Sequence, residues 1–209
     1  MKLRYSTTSP FVRKVSATII ECGLEDKVER IPTKVTPTTR NDGMALDNPL
    51  VKIPALITDD EITLYDSPVI CEYLDSISGG KMFPTAGKAR WIALRQQALG
   101  DGILDAGVLT RYESLRPKEF QWPEWIDGQL RKMRGALSSL ESECANGALT
   151  DVADGGVPTI GQLTIGCALG YLDFRYDSEK WRDDHQRLAA WYERFAKRLS
   201  MTETEPKDL

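Results

Sequence analysis

The chain has 209 residues, which is long enough for one large domain or two small ones with a buried core. Its net charge of -4 comes without a basic cluster, which argues against nucleic acid or an anionic membrane as a partner. No apolar run approaches the roughly 20 residues of a membrane span, and the chain opens without a signal-peptide pattern, so we expect a cytoplasmic protein. The four cysteines lie far apart without a CxxC pair, which predicts reduced core residues and no metal site.

The beginning of the chain alternates between strand and helix. Residues 2–6 read as a strand, and a polar turn then leads into a helix whose apolar positions recur at helical spacing until Gly23. Residues 28–35 can form a second strand. Residues 36–47 are polar and read as a loop or a weak helix, so the order so far is β-α-β followed by a connection.

A predicted hairpin follows this connection. Residues 51–57 and 61–65 are rich in Ile, Leu, Val and Tyr, and the acidic turn 58–60 lies between them. Pro54 stands inside the first of these strands, although proline removes a ladder donor and is normally confined to an edge, a bulge or a cis bend. The hairpin therefore carries one unusual backbone position.

The segment Asp66-Ser67-Pro68 predicts the start of a helix after the hairpin. Ser67 suits the N-cap and Pro68 the first helical position. The free N–H groups and the positive end of the helix dipole there would also suit a ligand carboxylate. Whether Ser67 binds an anion or only caps its helix stays open at this point.

The remainder of the chain predicts an all-α bundle. Glycine, proline and lysine interrupt the pattern before it, so we divide the chain into a domain of residues 1–79, a linker of residues 80–88 and a helical domain of residues 89–209. Amphipathic patterns predict helices at 90–115, 126–144 and 188–199, followed by a polar tail at 201–209. Thr159 and Gln162 form a capping box before an uncharged run, which predicts a buried helix with Gly166 and Gly170 at a close contact.

Four motifs of the chain resemble the glutathione S-transferase superfamily, in the family's order and over nearly the whole length. They are SPFVRKV at 9–15, NPLVKIPAL at 48–56, LYDSPVICEYLD at 64–75 and PTIGQLTIGCALGYLDFR at 158–175. Residues 101–117 are most similar to a bacterial, YibF-like group within it. The resemblance implies an α/β domain with a thioredoxin-like fold, made of a mixed four-stranded sheet with a cis-Pro54, followed by an all-helical domain.

The resemblance also implies a glutathione site on the first domain. Ile53, before a cis Pro54, would pair its backbone with the cysteinyl part of glutathione as an exposed strand edge does. Asp66 and Ser67 would take the γ-glutamyl end, with Ser67 holding the carboxylate. Lys52, and with less support Lys34, would meet the glycyl carboxylate, the alternative for both being plain surface charge.

Ser9 occupies the position where the family carries a catalytic serine, tyrosine or cysteine. A free thiol is only about 3% thiolate at pH 7, whereas a pKa about two units lower makes it roughly 75% thiolate. One hydroxyl hydrogen bond and the nearby helix N-terminus can supply that shift of about 2.7 kcal/mol. The alternative is that Ser9 only caps the helix before Pro10. A serine here excludes mixed-disulfide chemistry at this position.

The second substrate would bind between the domains. The resemblance places Phe11 and the helix at 101–112 around it, with Asp105 and Tyr112 as candidate lining residues and Asp101 and Arg111 as further candidates. Two departures from the family pattern concern other sites: Asp66 stands where glutamate is commoner, and Gln162 where aspartate is usual.

The resemblance thus implies a glutathione S-transferase of the detoxification type. It would conjugate glutathione, as a co-substrate and without a further cofactor, to a small electrophile, and would form a homodimer. The alternative is a glutathione-binding or protein-interaction module with negligible turnover, since one fold supports many functions. A peroxidase or dehalogenase acting through bound glutathione is a further alternative.

Overall fold

The computed structural model describes residues 1–208 and confirms the thioredoxin-like first domain. Its sheet has the order β2-β1-β3-β4, in which β1 and β2 are parallel and the other pairs are antiparallel. One long helix follows the first strand, a short helix precedes the hairpin of the last two strands, and a second long helix follows that hairpin. The elements are β1 (Lys2–Tyr5), α1 (Pro10–Glu21), β2 (Glu29–Pro32), α2 (Asp42–Asp47), β3 (Ala55–Ile57), β4 (Thr63–Leu64) and α3 (Ser67–Ile77).

The strands are shorter than the sequence pattern predicts, and Pro54 lies before β3 and not inside it. The Ile53–Pro54 bond is cis, as predicted. Val51 and Glu61 both have positive φ, which a paired strand does not accommodate, so the ladder can begin only after each of them. The second strand ends at Pro32, which cannot donate a ladder hydrogen bond.

The second domain is all-helical, as predicted. It contains α4 (Gly87–Ser114), α5 (Pro123–Asn146), α6 (Ile160–Arg175), α7 (Gln186–Phe195) and α8 (Leu199–Thr202). The start of α4 falls at Gly87, two residues before the predicted domain boundary. Within residues 1–208, none of the helices combines the length and the apolar character needed to cross a bilayer.

The single helix predicted at 188–199 is wrong, because the chain breaks it into α7 and α8. Arg198, between them, has extended backbone angles, and its guanidinium bonds Glu21 on α1 at 2.7 and 2.8 Å. The predicted polar tail at 201–209 begins inside α8, and Met201 is buried. Its last residue, Leu209, lies outside the described part of the chain.

Helix α6 is the centre of the second domain and is buried along most of its length. The capping box is present: Gln162 N donates to Thr159 Oγ1 at 3.2 Å, and Thr159 N donates to Gln162 Oε1 at 2.8 Å. The prediction of close contacts at its glycines is confirmed. A Cβ at Gly166 would lie 2.5 Å from the Phe195 ring, and one at Gly170 would collide with the Arg13 guanidinium of α1.

A buried carboxylate fixes the connection between the domains. Asp75, at the end of α3, accepts backbone N–H bonds from Lys81, Met82 and Phe83 at 2.8 to 3.2 Å. The carbonyl of Met82 then accepts the N–H of Ile160 at the start of α6. Because hydrogen bonds to a charged acceptor are stronger than those between neutral groups, this arrangement fixes the position of α6 relative to α3.

Helices α1 and α6 run antiparallel across the domain boundary. At one end, Cys22 Sγ lies 3.9 Å from Met82 Sδ, beside the first residue of α6. Toward the other end, Arg13 packs on Gly170. Ser9, at the start of α1, therefore lies toward the C-terminal end of α6.

Candidate functional site

Ser9 is the N-cap of α1, and its side-chain oxygen accepts the N–H of Val12 at 3.3 Å. The residue is half-buried. A hydroxyl has two lone pairs and one proton, so capping occupies an acceptor position and leaves the proton free to donate elsewhere. The capping and the catalytic interpretations of Ser9 are thus compatible.

The loop before the cis proline is braced by Asn48, which the sequence analysis missed. Its side chain is buried, donates to the carbonyl of Lys52 at 2.8 Å and accepts the N–H of Leu50 at 3.0 Å. An Asn followed by Pro49 is a turn signal that could have identified it. The brace presents Ile53, which is half-buried, and the exposed side chain of Lys52.

The structure corrects the prediction at the start of α3. Asp66 is the N-cap, with extended φ and ψ of -92° and -158°, and its side chain makes no capping hydrogen bond. Ser67 is the first helical residue and is only 1% exposed, and Pro68 is the second. Because capping does not require Ser67, its hydroxyl and the free N–H groups of the first turn remain suited to an anion.

Lys52, Asp66 and Asp105 belong to one electrostatic neighbourhood, whereas Lys34 lies on the exposed loop before α2. Partial removal from water raises the pKa of the Asp105 carboxyl, and the Asp66 carboxylate raises it further, against the opposing effect of Lys52. Asp105 of the helical domain thus lies near Lys52 and Asp66 of the sheet domain. Lys34 is exposed, and its carbonyl accepts the Asn41 side chain.

One face of α4 looks toward the start of α1. Asp101, Asp105, Val108 and Tyr112 follow each other at steps of four, three and four residues, which places them on the same side of a helix. Phe11 lies three residues before Lys14 on α1, and Lys14 bonds Asp101, so Phe11 lies one turn further along the same face. By this spacing, Phe11 on α1 and Asp105 and Tyr112 on α4 lie beyond the Lys14–Asp101 pair on the facing sides of the two helices, and we call the space between these sides the cleft.

Asp101 itself is committed to an ion pair. Lys14 is completely buried, and its ammonium donates to both carboxylate oxygens of Asp101, at 2.6 and 2.8 Å. Burial raises the pKa of Asp101, while Lys14 lowers it. Asp101 is thus an interdomain contact and not a free lining charge. The signal that the sequence analysis missed is Lys14 itself, because a charged residue on the apolar side of α1 indicates a buried ion pair.

The comparisons with known proteins agree with this geometry over both domains. The profile described as the glutathione S-transferase N-terminal domain matches residues 8–77, and that of the C-terminal domain matches residues 123–194. The GST-like protein YibF of Escherichia coli K12 is 33% identical over 208 residues, covering 99% of this chain and 98% of that protein.

Solved structures extend the comparison to bound ligands. A glutathione transferase family member from Pseudomonas fluorescens Pf-5, with bound glutathione, is 43% identical, covers 99% of both chains and has a TM-score of 0.91. A structure of a family member from the same strain with bound S-(propanoic acid)-glutathione is 42% identical, covers 100% of both chains and has a TM-score of 0.87. The matched domains and the full-length identity lead to one conclusion: the chain belongs to the glutathione S-transferase family.

Proposed function

We propose that this protein is a glutathione transferase that joins the thiolate of glutathione to a small electrophile. The observation that carries the proposal is Ser67, buried at the first turn of α3 beside the cis-Pro54 loop and not used as its helix cap. The relative from Pseudomonas fluorescens that holds glutathione supports it. The reaction needs glutathione as co-substrate and no other cofactor.

Each part of glutathione has a partner in this proposal. The backbone of Ile53 pairs with the cysteinyl unit, as an exposed edge pairs with a peptide. Ser67 and the N-terminus of α3 hold the γ-glutamyl carboxylate, and Asp66 lies near the amine. Lys52 meets the glycyl carboxylate. Lys34, exposed on its loop, is at most a second contact for that carboxylate.

Ser9 performs the chemical step by stabilising the thiolate. Its hydroxyl donates a hydrogen bond to the sulfur while its oxygen still accepts the N–H of Val12. The positive end of the α1 dipole further stabilises the negative charge on the sulfur. The thiol proton passes to solvent, and the thiolate attacks a carbon of an electrophile lying against Phe11, Asp105 and Tyr112. The C–S bond forms as a leaving group departs with its electron pair or, at an activated double bond, as the π bond breaks and the neighbouring carbon takes a proton from solvent. The acid conjugate bound by the relative from Pseudomonas fluorescens supports a small second substrate.

Thermal unfolding across a glutathione titration tests the binding site. Glutathione at about 100 times its dissociation constant adds about 2.7 kcal/mol to the free energy of unfolding. Ser67→Ala removes a hydrogen bond to a charged group, so its affinity falls about tenfold and the same concentration adds only about 1.4 kcal/mol. Thr63→Ala, a change of another hydroxyl residue in β4, is the matched control and keeps the wild-type gain.

The alternative, an interaction module of the same fold, predicts a different result. If millimolar glutathione stabilises neither the wild type nor the control, the glutathione site is absent and the proposal fails. If glutathione binds but no conjugate forms with any electrophile, the protein is a binding module. Product analysis separates conjugation from a peroxidase or dehalogenase reaction, because only conjugation retains the electrophile's carbon skeleton on sulfur.

We also propose a homodimer, in which each sheet domain packs on the other chain's helices. Exposed apolar side chains on both domains support it: Leu50 and Ile62 on the sheet domain and Trp91, 69% exposed, on α4. Light scattering should give twice the 23.4 kDa of one chain, and Trp91→Glu should shift the mass toward one chain. A wild-type mass of one chain would contradict this. A cytoplasmic detoxification role belongs to the same proposal.

A further inference from the structure

Arg175, at the C-terminal end of α6, is held in an orientation that suits binding of a planar anion. Its side chain is only 17% exposed, and its guanidinium lies 3.8 Å above the ring of Phe174. An arginine fork held flat in this way matches the two oxygens of a carboxylate. The position is therefore built for bidentate recognition.

A carboxylate of the chain itself occupies this fork. Asp208, close to the C-terminus, accepts Nη1 of Arg175 at 3.0 Å and Nη2 at 2.5 Å. The pKa of Asp208 is lowered, mainly by its bonds to Arg175 and further by the charge of Arg111 on α4. Arg175 thus binds this carboxylate directly, and Arg111 of another helix adds positive charge at longer range. Asp208 belongs to a short exposed tail, so a ligand can replace it.

The fork lies at the same end of the molecule as Ser9. Arg13 of α1 packs on Gly170 of α6, and the two helices run antiparallel. Along the helix axes, Ser9 lies about 6 Å from Arg13 and Arg175 about 7.5 Å from Gly170, each toward the end where α1 begins and α6 ends. Arg111 follows Gly107, whose carbonyl accepts the Tyr176 hydroxyl at 2.5 Å, and it adjoins Tyr112 of the cleft.

With Lys52 assigned to the glycyl carboxylate of glutathione, Arg111 and Arg175 at this end are available to a negative group on the second substrate. Asp66 and Asp105 lie on the glutathione side, and Asp101 is neutralised by Lys14. A negative group on the second substrate is repelled by Asp66 and Asp105 and attracted by Arg111 and Arg175. A negative substrate therefore points its charge toward the end of α6.

We propose that Arg175, with Arg111 beside it, binds a carboxylate of the electrophilic substrate, and that Asp208 of the tail occupies this site in its absence. The inference rests on the transferase function proposed above and names its substrate class: small electrophiles that carry a carboxylate at one end. The tail is displaced when such a substrate or its conjugate binds.

Calorimetric titration with two matched conjugates tests the site. The probes are S-(2-carboxyethyl)glutathione and its carboxamide analogue, which differ by one charge. The wild type should bind the acid about tenfold more tightly, because charge-assisted hydrogen bonds form only with it. Arg175→Gln should abolish that preference. Asp208→Asn should strengthen binding of the acid about threefold and leave the amide unchanged, because the competing carboxylate is lost.

The exposed pair Arg194–Asp151 supplies matched controls. Arg194→Gln and Asp151→Asn make the same changes away from the cleft and should keep the wild-type preference. The inference is overturned if the wild type binds the acid and the amide equally, or if Arg175→Gln still prefers the acid. In either case, binding of glutathione by the wild type would still support the proposed transferase function. Loss of binding of glutathione itself by the wild type overturns both.

Discussion

Replacing Ser9 by alanine should slow conjugation at pH 7 between about threefold and 25-fold. A hydrogen bond to a charged group contributes about 1.5–3 kcal/mol, so its loss raises the pKa of the bound thiol by about one to two units. The thiolate fraction at pH 7 then falls from roughly 75% to between about 25% and 3%. The measurement is kcat/KM for 1-chloro-2,4-dinitrobenzene between pH 6 and about pH 9.5. The deficit should vanish at the alkaline end, where the thiol ionises unaided.

Two further variants separate catalysis from capping. Ser9→Ala also loses the bond to Val12 N, which costs about 1 kcal/mol of stability. Ser9→Thr keeps both the cap and the hydroxyl and should retain stability and most of the rate. Ser9→Asp keeps the cap, yet its carboxylate repels the thiolate, so it should be stable and slower than Ser9→Ala. If Ser9→Ala conjugates at the wild-type rate across the whole pH range, Ser9 has no part in the chemistry.

Replacing Lys14 by methionine should destabilise the protein by about 3–5 kcal/mol. The change keeps the length of the side chain but leaves the carboxylate of Asp101, 17% exposed, without its partner in the domain boundary. Chemical denaturation monitored by tryptophan fluorescence measures the free energy of unfolding. Lys88→Met, which replaces an exposed lysine on α4, is the control and should change stability little.

The deficit of Lys14→Met should depend on pH. The folded-state pKa of Asp101 is raised by burial, and removing Lys14 takes away the main opposing effect, so it rises further. A carboxyl with a raised folded pKa loses stability as pH increases from its unfolded pKa through its folded pKa. The variant should therefore be closest to the wild type near about pH 4, where Asp101 is protonated, and furthest from it at neutral pH.

A double-mutant cycle identifies the cause of this deficit. Adding Asp101→Leu to Lys14→Met removes the unpaired charge, so the double variant should recover most of the lost stability. If the two changes are additive, or if Lys14→Met loses less than about 1 kcal/mol, the pair does not hold the domains together.

Local signals predicted much of this fold and part of its candidate site. Ser9 before Pro10, the capping box of Thr159 and Gln162, and the cis-Pro54 bond each depend on atoms within a few residues of one another. The sequence by itself determined the two helix caps, because side-chain to backbone hydrogen bonds act over one turn of chain. At Pro54 the local residues left an edge, a bulge or a cis bend open, and the cis bond was implied by the family resemblance. The uncharged run of α6 likewise determined its burial.

Other features depend on residues far apart in sequence. Lys14 binds Asp101, which is 87 positions away in the sequence, so Asp101 is part of an ion pair and not a residue lining the cleft. Arg175 contacts Asp208 because the C-terminal tail folds back to α6. The extended backbone at Asp66 displaced Ser67 from the cap, and Arg198 ended α7 by bonding Glu21 on α1. The tertiary structure decided these points, because the partner of a buried charge is chosen by which helices pack together and not by its neighbours in the chain.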